Sequence, residues 1–367
     1  MKSLVVIFGG DSVEHDISVL TGLHCARHIT DDYRVILVYL TRTGQMVTSG
    51  ACGTLSQVDN YTSNRIPNGK VCFFANGSLF RKSAFGIRKV CTPVAVVNCC
   101  HGGVGEDGRL AALMDVVRVP ITSCPPLAAM KIQSKAATRE LLNAAGFPQP
   151  KFVVVAGRSP DGVVSTILET IGFPLIIKPN TLGSSIGITV AKTNDELVAA
   201  LILAFELDSE VIVEQYLENI REVNCSAFFA SDNINVSQCE LVTNDEPILD
   251  FSAKYLSKGS GFVKKSAKSA TQIPEQPEIQ ALTRRAYELF GARGIIRADF
   301  MVAGGVIYLN EINSVPGFLC YHLWLKSGIP YGTLISLVAE QSQRDAARTV
   351  KTTFPSEILE RNRALVE

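Results

Sequence analysis

The stretch IIRADFMVAGGVIYLNEIN, residues 295–313, reads as two β-strands joined by a tight turn. Apolar and β-branched residues dominate both halves, and Ala-Gly-Gly at 303–305 has the composition of a hairpin turn. Taking these three residues as the loop pairs Val302 with Val306. That register then determines which side chains share a face of the sheet.

Polar residues of this hairpin collect on one face in that register. Arg297 is predicted opposite Glu311, and Asp299, Glu311 and Asn313 point the same way. Two carboxylates and an amide oxygen suit Mg²⁺, with water and phosphate completing its shell. A solvated face with a surface Arg–Glu pair is the alternative, and spacing alone does not separate the two. A two-residue loop would break the shared face.

A second candidate site precedes the hairpin. Lys178 ends an apolar strand predicted at 174–178, and the loop NTLGSSIG follows at 180–187. Its glycines and serines let backbone N–H groups approach an anion closely. The loop is not a Walker A motif, because no Gly-Lys-Ser/Thr closes it and a strand follows. An ordinary hairpin is the alternative, but the lysine beside this turn favours phosphate binding.

Alternating strands and helices predict an α/β fold in several domains. Residues 1–123 predict an open parallel sheet, 124–213 a small central unit and 214–367 a third unit. Ser134 is expected to cap a helix that stops at Gly146. The other predicted helices are 17–29, 109–117, 162–171, 194–207 and 277–290, and the other predicted strands are 4–8, 34–40, 94–100, 152–155, 188–191 and 211–215.

Composition indicates a globular enzyme. Of 367 residues 47% are hydrophobic, and 35 basic residues balance 35 acidic ones, so neither nucleic acid nor an anionic membrane is expected as a partner. No apolar run approaches a membrane span, and the run at 4–8 is too short for a signal peptide. The 10 cysteines then predict free thiols in a reducing cytoplasm. Cys99-Cys100-His101 lacks zinc-site spacing.

Two glycine motifs lie in the first domain. GVGEDG at 103–108 matches G-x-G-x-x-G, but its Glu106 and Asp107 would place negative charge beside a pyrophosphate, which disfavours an NAD site. GGDSVEHD at 9–16 ends the first strand, where ligands lie in open α/β sheets. Its Glu14 could hold an ammonium group, or could simply be an acidic residue in a first helical turn.

Taken together, these segments resemble the D-alanine–D-alanine ligase family, including its vancomycin-resistance relatives, within the ATP-grasp superfamily. The resemblance runs from residue 9 to about residue 328 and rests, in order, on GGDSVEHDIS, HGGVGEDG, SKAATR, IIKPNTLGSSIG, VIVEQYLENIRE, DFSAKY, RADF and NEINSVPG. It implies an N-terminal substrate domain and a two-domain, α+β ATP-grasp part with ATP between its halves. The implied reaction joins D-alanine to D-alanine or D-serine through an acyl-phosphate, releasing ADP, for peptidoglycan precursors.

The resemblance also implies roles for individual residues. Nucleotide contacts would come from Lys135, Lys178, Ser184, Ser185, Glu214 at the adenine, Glu222 at the ribose and Asn313. Two magnesium ions, with manganese as an alternative, would bind Asp299, Glu311 and Asn313. The first amino acid would meet Glu14, Ser184, Tyr255 and His101, and Arg297 and the Gly317 N–H would stabilise the oxyanion. The loop holding Lys254 and Tyr255 would act as a lid.

The second-substrate region departs from the family pattern. After Pro316-Gly317 relatives continue with a Thr-Ser-x-Ser-like run, but here residues 318–323 are FLCYHL, so His322 replaces a serine that helps bind the second substrate. Tyr255 matches the dipeptide-forming relatives, which favours an amine nucleophile. A different acceptor amino acid and a catalytically silent nucleotide-binding protein remain alternatives. Relatives suggest a homodimer.

Overall fold

The computed structural model of the chain describes residues 1–48, 61, 69–157, 162–242, 273–347 and 357–365. The strands are β1 Lys2–Gly9, β2 Tyr33–Leu40, β3 Met46–Thr48, β4 Lys70–Ala75, β5 Ser78–Ser83, β6 Gly86–Cys91, β7 Ala95–Asn98, β8 Phe152–Ala156, β9 Leu175–Pro179, β10 Thr189–Ala191, β11 Glu210–Gln215, β12 Arg221–Ala230, β13 Asn233–Val236, β14 Glu240–Val242, β15 Ile295–Ala303 and β16 Val306–Asn313. The helices are α1 His15–His28, α2 Arg109–Val116, α3 Pro126–Gln133, α4 Lys135–Ala144, α5 Val163–Thr170, α6 Asn194–Leu207, α7 Gln276–Phe290, α8 Tyr321–Lys326, α9 Tyr331–Ala347 and α10 Ile358–Arg361.

The N-terminal sheet is parallel only in its middle. Its order is β6-β5-β4-β3-β2-β1-β7, and β1 pairs in parallel with both β2 and β7. The predicted buried strands form there, since residues 4–8 are fully buried. The antiparallel ribbon β3–β6 was not predicted. Its outer strand β6 is mostly exposed and lacks the continuous apolar run of a central strand.

The central unit is an antiparallel sheet of order β10-β9-β11-β8, covered by α5 and α6. Strand β11 pairs with both β8 and β9. The boundary expected between residues 213 and 214 therefore falls inside β11. Its apolar residues pack with those of α6 in one cluster, which explains why the strand stays with this sheet.

The third sheet has the order β13-β12-β15-β16, and β14 also pairs with β12. Helix α7 packs against one face, and its buried residues join Val223, Cys225 and Ala298 in an apolar cluster. Side chains alternate along a strand, so the opposite face receives Asn224, Arg297 and their neighbours. That face carries the candidate site.

One hydrophobic core joins the N-terminal sheet to helices α8 and α9. It contains Leu4 and Phe8 of β1 together with Trp324 of α8 and Leu334 of α9. The N-terminal sheet and the last helices therefore form a continuous packed body. No helix in the described ranges is long and apolar enough to cross a membrane.

Every cysteine in the described ranges is a buried free thiol, as the sequence predicts. Burial raises the pKa of the Cys72 and Cys100 thiols to about 12, which keeps them protonated and unreactive at neutral pH.

Candidate active site

The hairpin at residues 295–313 forms, but with a shorter loop than predicted. The two glycines at 304–305 make a two-residue turn with φ values of +55° and +80°, and Ala303 pairs with Val306. Glycine adopts these φ values without steric cost, which explains the tight turn. The predicted three-residue loop and its pairing of Val302 are wrong.

A β-bulge keeps the polar side chains together despite the shorter turn. The register shifts between Asp299 and Phe300: Phe300 pairs with Leu309, whereas Asp299 pairs with Glu311. Asn310 is therefore the extra residue of the bulge. Opposed residues of an antiparallel pair point to the same face, so Asp299 and Glu311 stand side by side.

Arg297 lies opposite Asn313, and its predicted pairing with Glu311 is wrong. The Arg297 Nε and Nη2 donate to the two oxygens of Asp299 at 2.6 Å each, and Asn313 Nδ2 donates to Asp299 Oδ2 at 3.0 Å. Burial opposes the charge of Arg297, but Asp299 outweighs it and raises the pKa of the guanidinium. The shared polar face thus forms in a different register.

The donor chemistry of this face fits magnesium. Asp299 and Glu311 are opposed carboxylates, and Asn313 adds an amide oxygen on the same side. Each carboxylate oxygen has two lone pairs, so Asp299 can keep Arg297 and still bind a cation. Within the described residues no cluster of three or more His, Cys, Asp or Glu side chains is arranged so that it could hold a metal ion. Magnesium does not require such a cluster, because it keeps water and phosphate ligands.

Lys178 and Glu214 form a buried ion pair with Arg139 of α4. The Lys178 Nζ donates to Glu214 Oε2 at 2.5 Å, and Arg139 Nε donates to Glu214 Oε1. Glu214 is 2% exposed, and burial opposes its ionisation. The charges of Arg139 and Lys178 prevail and hold the pKa of Glu214 well below its usual range.

The glycine-rich loop is fastened to the N-terminus of α4. Ser134 caps this helix as predicted, accepting from the Ala137 N–H at 3.1 Å. Asn180 Oδ1 accepts from the Ala136 N–H at 2.8 Å, and Lys135 Nζ donates to Leu182 O at 2.5 Å. Lys135 is thereby held at this loop, whereas Lys178 directly precedes the loop on β9 and is held by Glu214.

Lys135 also lies within the electrostatic range of the hairpin face. Burial lowers the pKa of Lys135, Glu311 opposes this effect, and Lys178 reinforces it. The two lysines and the carboxylate of Glu311 therefore share one region between the central and third sheets.

The same loop reaches the N-terminal domain through Ser184. Ser184 and Ser185 have φ values of +53° and +59°, an uncommon state for serine. The Ser184 hydroxyl donates to Glu14 Oε1. A Cβ on Gly183 would lie 3.4 Å from Glu14 Oε2, so the loop lies directly over this carboxylate. The structure thus brings Glu14 and Ser184 together, as expected.

His101 lies beside Glu14, at the ends of β1 and β7. Thr21 Oγ1 lies 2.8 Å from His101 Nε2, and Glu106 Oε1 lies 3.7 Å from Nδ1. A Cβ on Gly102 would approach Glu14 Oε2 to 2.9 Å. Burial, with the charge of Glu14, raises the pKa of Glu106 above its usual value, and His101 opposes the shift.

The GVGEDG motif has a packing role. Gly103–Gly105 form a 3-10 turn, and a Cβ on Gly105 would lie 2.0 Å from Cys100 O. Gly108 has φ +88°, and a Cβ added there would lie 2.6 Å from Pro126 O, just before α2 begins. These glycines permit close backbone packing, which accounts for the fingerprint without a dinucleotide.

The predicted acceptor residue His322 lies on α8, paired with Glu240 of β14. The His322 Nε2 is 2.9 Å from Glu240 Oε2, and Lys326 Nζ donates to Glu240 Oε1 at 3.0 Å. Burial opposes ionisation of Glu240, but both partners lower its pKa to about 2. Glu240 is opposite Asn224, which is opposite Asp299, so this cluster borders the polar face.

Gly317 begins a 3-10 turn after β16. The next three residues, Phe318, Leu319 and Cys320, have φ values of +49°, +51° and +55°. The Phe318 N–H donates to Thr21 Oγ1 at 3.2 Å, which fixes the turn against α1. Gly317, the residue before Phe318, is therefore placed near His101, since Thr21 contacts both Phe318 and His101.

Four predicted site residues remain, and the structure describes two of them, Glu222 and Ser185. Glu222 lies on β12 opposite Met301, on the same face as Asn224, and Ser185 follows Ser184 in the loop. Lys254 and Tyr255 lie outside the described residues.

Sequence reasoning missed several buried contacts of the site. Arg139 is four residues after Lys135 and so shares its face of α4, a spacing that could have identified it. Asn180, Thr21 and Glu240 carried no comparable pattern. Their roles depend on tertiary contacts that adjacent sequence does not encode.

Comparison with known proteins gives a consistent assignment over most of the chain. Residues 3–124 match the family described as "D-ala D-ala ligase N-terminus", and residues 141–340 match "D-ala D-ala ligase C-terminus". A D-alanine–D-alanine ligase of Chlorobium phaeovibrioides is 32% identical over 335 residues, covering 87% of this chain and 90% of that protein.

Solved structures show the same fold. The D-alanine–D-alanine ligase from Coxiella burnetii superposes with a TM-score of 0.80 at 21% identity, covering 100% of this chain and 99% of that one. The VanG D-Ala:D-Ser ligase from Enterococcus faecalis superposes with a TM-score of 0.77 at 25% identity, covering 93% and 99%.

Proposed function

Because this chain belongs to the D-alanine–D-alanine ligase family, we propose that it joins D-alanine to a second D-amino acid, D-alanine or D-serine, for peptidoglycan precursor synthesis. The family is one of ADP-forming, ATP-dependent ligases. The observation that carries the proposal is the position of the loop at 180–187. This loop follows Lys178, and its Ser184 hydroxyl donates a hydrogen bond to the Glu14 carboxylate. A phosphate donor and an amino acid would meet at this loop.

The phosphate end of the site is formed by Lys135 and Lys178. Lys135 is held at the loop and Lys178 is held by Glu214 just before it, where both cations can offset charge that develops on a transferred phosphoryl group. Asp299, Glu311 and Asn313 would hold the magnesium ions. Magnesium supplies charge neutralisation at the phosphates when it is bound.

We further propose that ATP binds with its adenine at Glu214 and its ribose at Glu222. Both oxygens of Glu214 already accept hydrogen bonds, but each keeps a second lone pair for the adenine amino group. Ser185 and Asn313 would complete the nucleotide contacts from the loop and the hairpin.

The amino-acid end is formed by Glu14 and His101. The Glu14 carboxylate would bind the ammonium group of the first D-alanine, with Ser184 fixing its orientation. His101, held by Thr21, would lie near the substrate carboxylate that becomes phosphorylated. Lys254 and Tyr255 are proposed to join this end.

Formation of the peptide bond requires a better electrophile than a carboxylate. Phosphorylation by ATP makes an acyl-phosphate, and the amine of the second amino acid then attacks its carbonyl carbon. Arg297 donates two of its five N–H groups to Asp299, so its other N–H groups can donate to the developing oxyanion. The Gly317 N–H would donate to the same oxyanion. The bond from the carbonyl carbon to the phosphate oxygen breaks as the amide forms, phosphate leaves with the electron pair, and the attacking nitrogen gives up one proton.

The acceptor amino acid is the least constrained part of the proposal. His322, paired with Glu240, stands where relatives carry a small hydroxyl, so an acceptor other than D-alanine is the second candidate. Soluble amino acids in the cytoplasm are the proposed substrates, and a homodimer is the proposed assembly.

A screen of acceptors tests the function. Purified protein is given ATP, Mg²⁺ and D-alanine, alone or with a second amino acid, while ADP release is followed and products are identified by mass. We expect ADP and a D-alanine-containing dipeptide. Greater ADP release with another amino acid would support the second candidate, whereas nucleotide binding without ADP release under any condition would contradict the ligase.

Replacing Glu311 tests the metal assignment. Glu311→Gln keeps the size and removes the charge, so ADP formation should fall at least about a hundred-fold, the scale of losing one transition-state contact. Glu288→Gln on the exposed side of α7 is the control and should retain full activity. Near-normal turnover of the Glu311 variant would refute the assignment.

A further inference from the structure

Arg139 is a buried cation without a role in the proposed chemistry. It is 2% exposed and makes four side-chain contacts. Its Nε donates to Glu214 Oε1, Nη1 donates to Leu309 O at 2.6 Å and to Gln149 Oε1 at 3.1 Å, and Nη2 donates to Asn310 Oδ1 at 3.2 Å. A buried arginine with so many directed bonds fixes the geometry of its partners.

Its partners belong to two different sheets. Glu214 lies on β11 of the central sheet, whereas Leu309 and Asn310 lie on β16 of the third sheet. Arg139 itself starts from α4, so its guanidinium spans the contact between the two ATP-grasp halves.

On the β16 side, Arg139 holds the bulge. Leu309 is the last residue before the register shift, Asn310 is the extra residue, and Glu311 is the first residue after it. A bulge re-aims the strand that carries it, so its conformation sets where the Glu311 carboxylate points. Arg139 donates hydrogen bonds to Leu309 and Asn310, the two residues that precede Glu311.

On the β11 side, Arg139 holds the partner of Lys178. It occupies one oxygen of Glu214 and leaves the other for the Lys178 Nζ at 2.5 Å. It also keeps Glu214 ionised despite burial, because its charge is the largest influence that lowers this pKa. Without that cation, Glu214 would hold Lys178 less firmly.

We propose that Arg139 is a positioning residue that fixes Lys178 of the central sheet relative to Glu311 of the third sheet, and so sets the phosphate site against the metal site. The inference rests on the proposed function. An arginine is required because its planar fork can hold Glu214, Leu309 and Asn310 at once, whereas a lysine presents a single charged nitrogen.

Arg139→Lys tests the proposal, because it keeps the charge and removes the fork. We measure Mn²⁺ binding in the presence of ATP by electron paramagnetic resonance, together with KM for ATP, kcat and the thermal midpoint. We expect Mn²⁺ affinity to fall about ten- to a hundred-fold, as for loss of a residue that orients a metal ligand. KM for ATP should rise in parallel.

A purely structural arginine would give a different result. It would lower the thermal midpoint and leave Mn²⁺ affinity and KM at wild-type values, and that result would overturn the proposal. Arg285→Lys is the matched control: like Arg139, Arg285 donates to a backbone carbonyl, but it is exposed on α7, where it stacks on Phe147. It should leave all four measurements unchanged.

Asn310→Ala keeps the test valid if Arg139→Lys does not fold. This variant removes one acceptor of Arg139 and leaves the buried charges intact, so a smaller loss of Mn²⁺ affinity is expected. In the double variant the two losses should not add, since both break the same contact. Wild-type Mn²⁺ affinity in Asn310→Ala, or simple additivity, would contradict the proposal.

The two proposals fail in different ways. If wild-type protein releases no ADP with any D-amino acid pair, the ligase function fails, while Mn²⁺ and ATP binding still report on Arg139. If wild-type protein forms dipeptide and both variants bind Mn²⁺ normally, only the role of Arg139 fails.

Discussion

The ionised side chain of Glu240 is stabilised by specific partners, and this makes the stability of the folded protein depend on pH. His322 and Lys326 hold its carboxylate, and its pKa in the folded chain is about 2. The unfolded value is about 4.3. A lowered folded pKa means that the ionised carboxylate stabilises the folded state above about 4.3, and that this contribution is lost as pH falls toward 2.

Glu240→Gln should therefore make the free energy of unfolding depend less on pH in acid solution. The free energy of unfolding of the wild type should fall more steeply than that of the variant as pH decreases from about 4.3 toward 2. Urea unfolding at several pH values measures both slopes, and other carboxylates, including Glu214, contribute equally to the two proteins. Parallel slopes would show that the three side chains are not coupled in solution.

At the scale of a single helix, the N-cap of α4 combines stability with function. Ser134 accepts from the Ala137 N–H, and the next residue, Lys135, is a proposed ATP contact. Ser134→Ala should cost about 1 kcal/mol of unfolding free energy. It should also raise KM for ATP, because the first turn that carries Lys135 is loosened.

Helix α6 offers a matched control for this prediction. Thr193 caps it, accepting from the Glu196 N–H at 3.3 Å, but α6 carries no proposed ATP contact. Thr193→Ala should lose a similar unfolding free energy with an unchanged KM for ATP. If both variants had the same KM for ATP, the N-cap of α4 would have no effect on nucleotide binding.

Elements also show where sequence reasoning succeeds and where it stops. The buried strand β1 and helix α7 were predicted because hydrophobic periodicity reports directly on burial. The hairpin β15–β16 was predicted, but its register was not, because two compensating irregularities cancel. A shorter turn at 304–305 would move Glu311 to the other face, and the bulge at Asn310 returns it.

The residues of the candidate site likewise fall into two groups, those that sequence motifs identified and those that only tertiary contacts reveal. Lys178, Glu14 and Asp299 stand in motifs whose residue types indicate their chemistry. Arg139 and Glu240 act through contacts between elements distant in sequence, with Leu309 and His322 as partners. The spacing from Lys135 places Arg139 on the same face of α4, but local patterns contain no information about the partners of Arg139 and Glu240, which only the fold identifies.

At the scale of the whole molecule, strand β1 and helices α1, α8 and α9 pack as one body. Gly332 at the start of α9 lies against the end of α1, where an added Cβ would be 2.6 Å from His28 O. Gly332→Ala should force the two helices apart and lower the unfolding free energy by about 1–3 kcal/mol, the usual cost of overpacking.

The only tryptophan in the chain makes this effect measurable. Trp324 is 1% exposed and lies in the shared core, so its fluorescence reports unfolding of that body. Ser336→Ala, one turn further along α9, is the control and should stay within about 0.5 kcal/mol of wild type. An unchanged midpoint for Gly332→Ala would mean that α9 can shift without loss.

The shared core also fixes an order of events during synthesis. Strand β1 leaves the ribosome early, but Trp324 and Leu334, which cover it, are translated some tens of seconds later at ordinary rates. Until then the nascent N-terminal sheet must keep part of its apolar face unburied. The growing polypeptide is thus expected to depend on chaperones until α8 and α9 emerge.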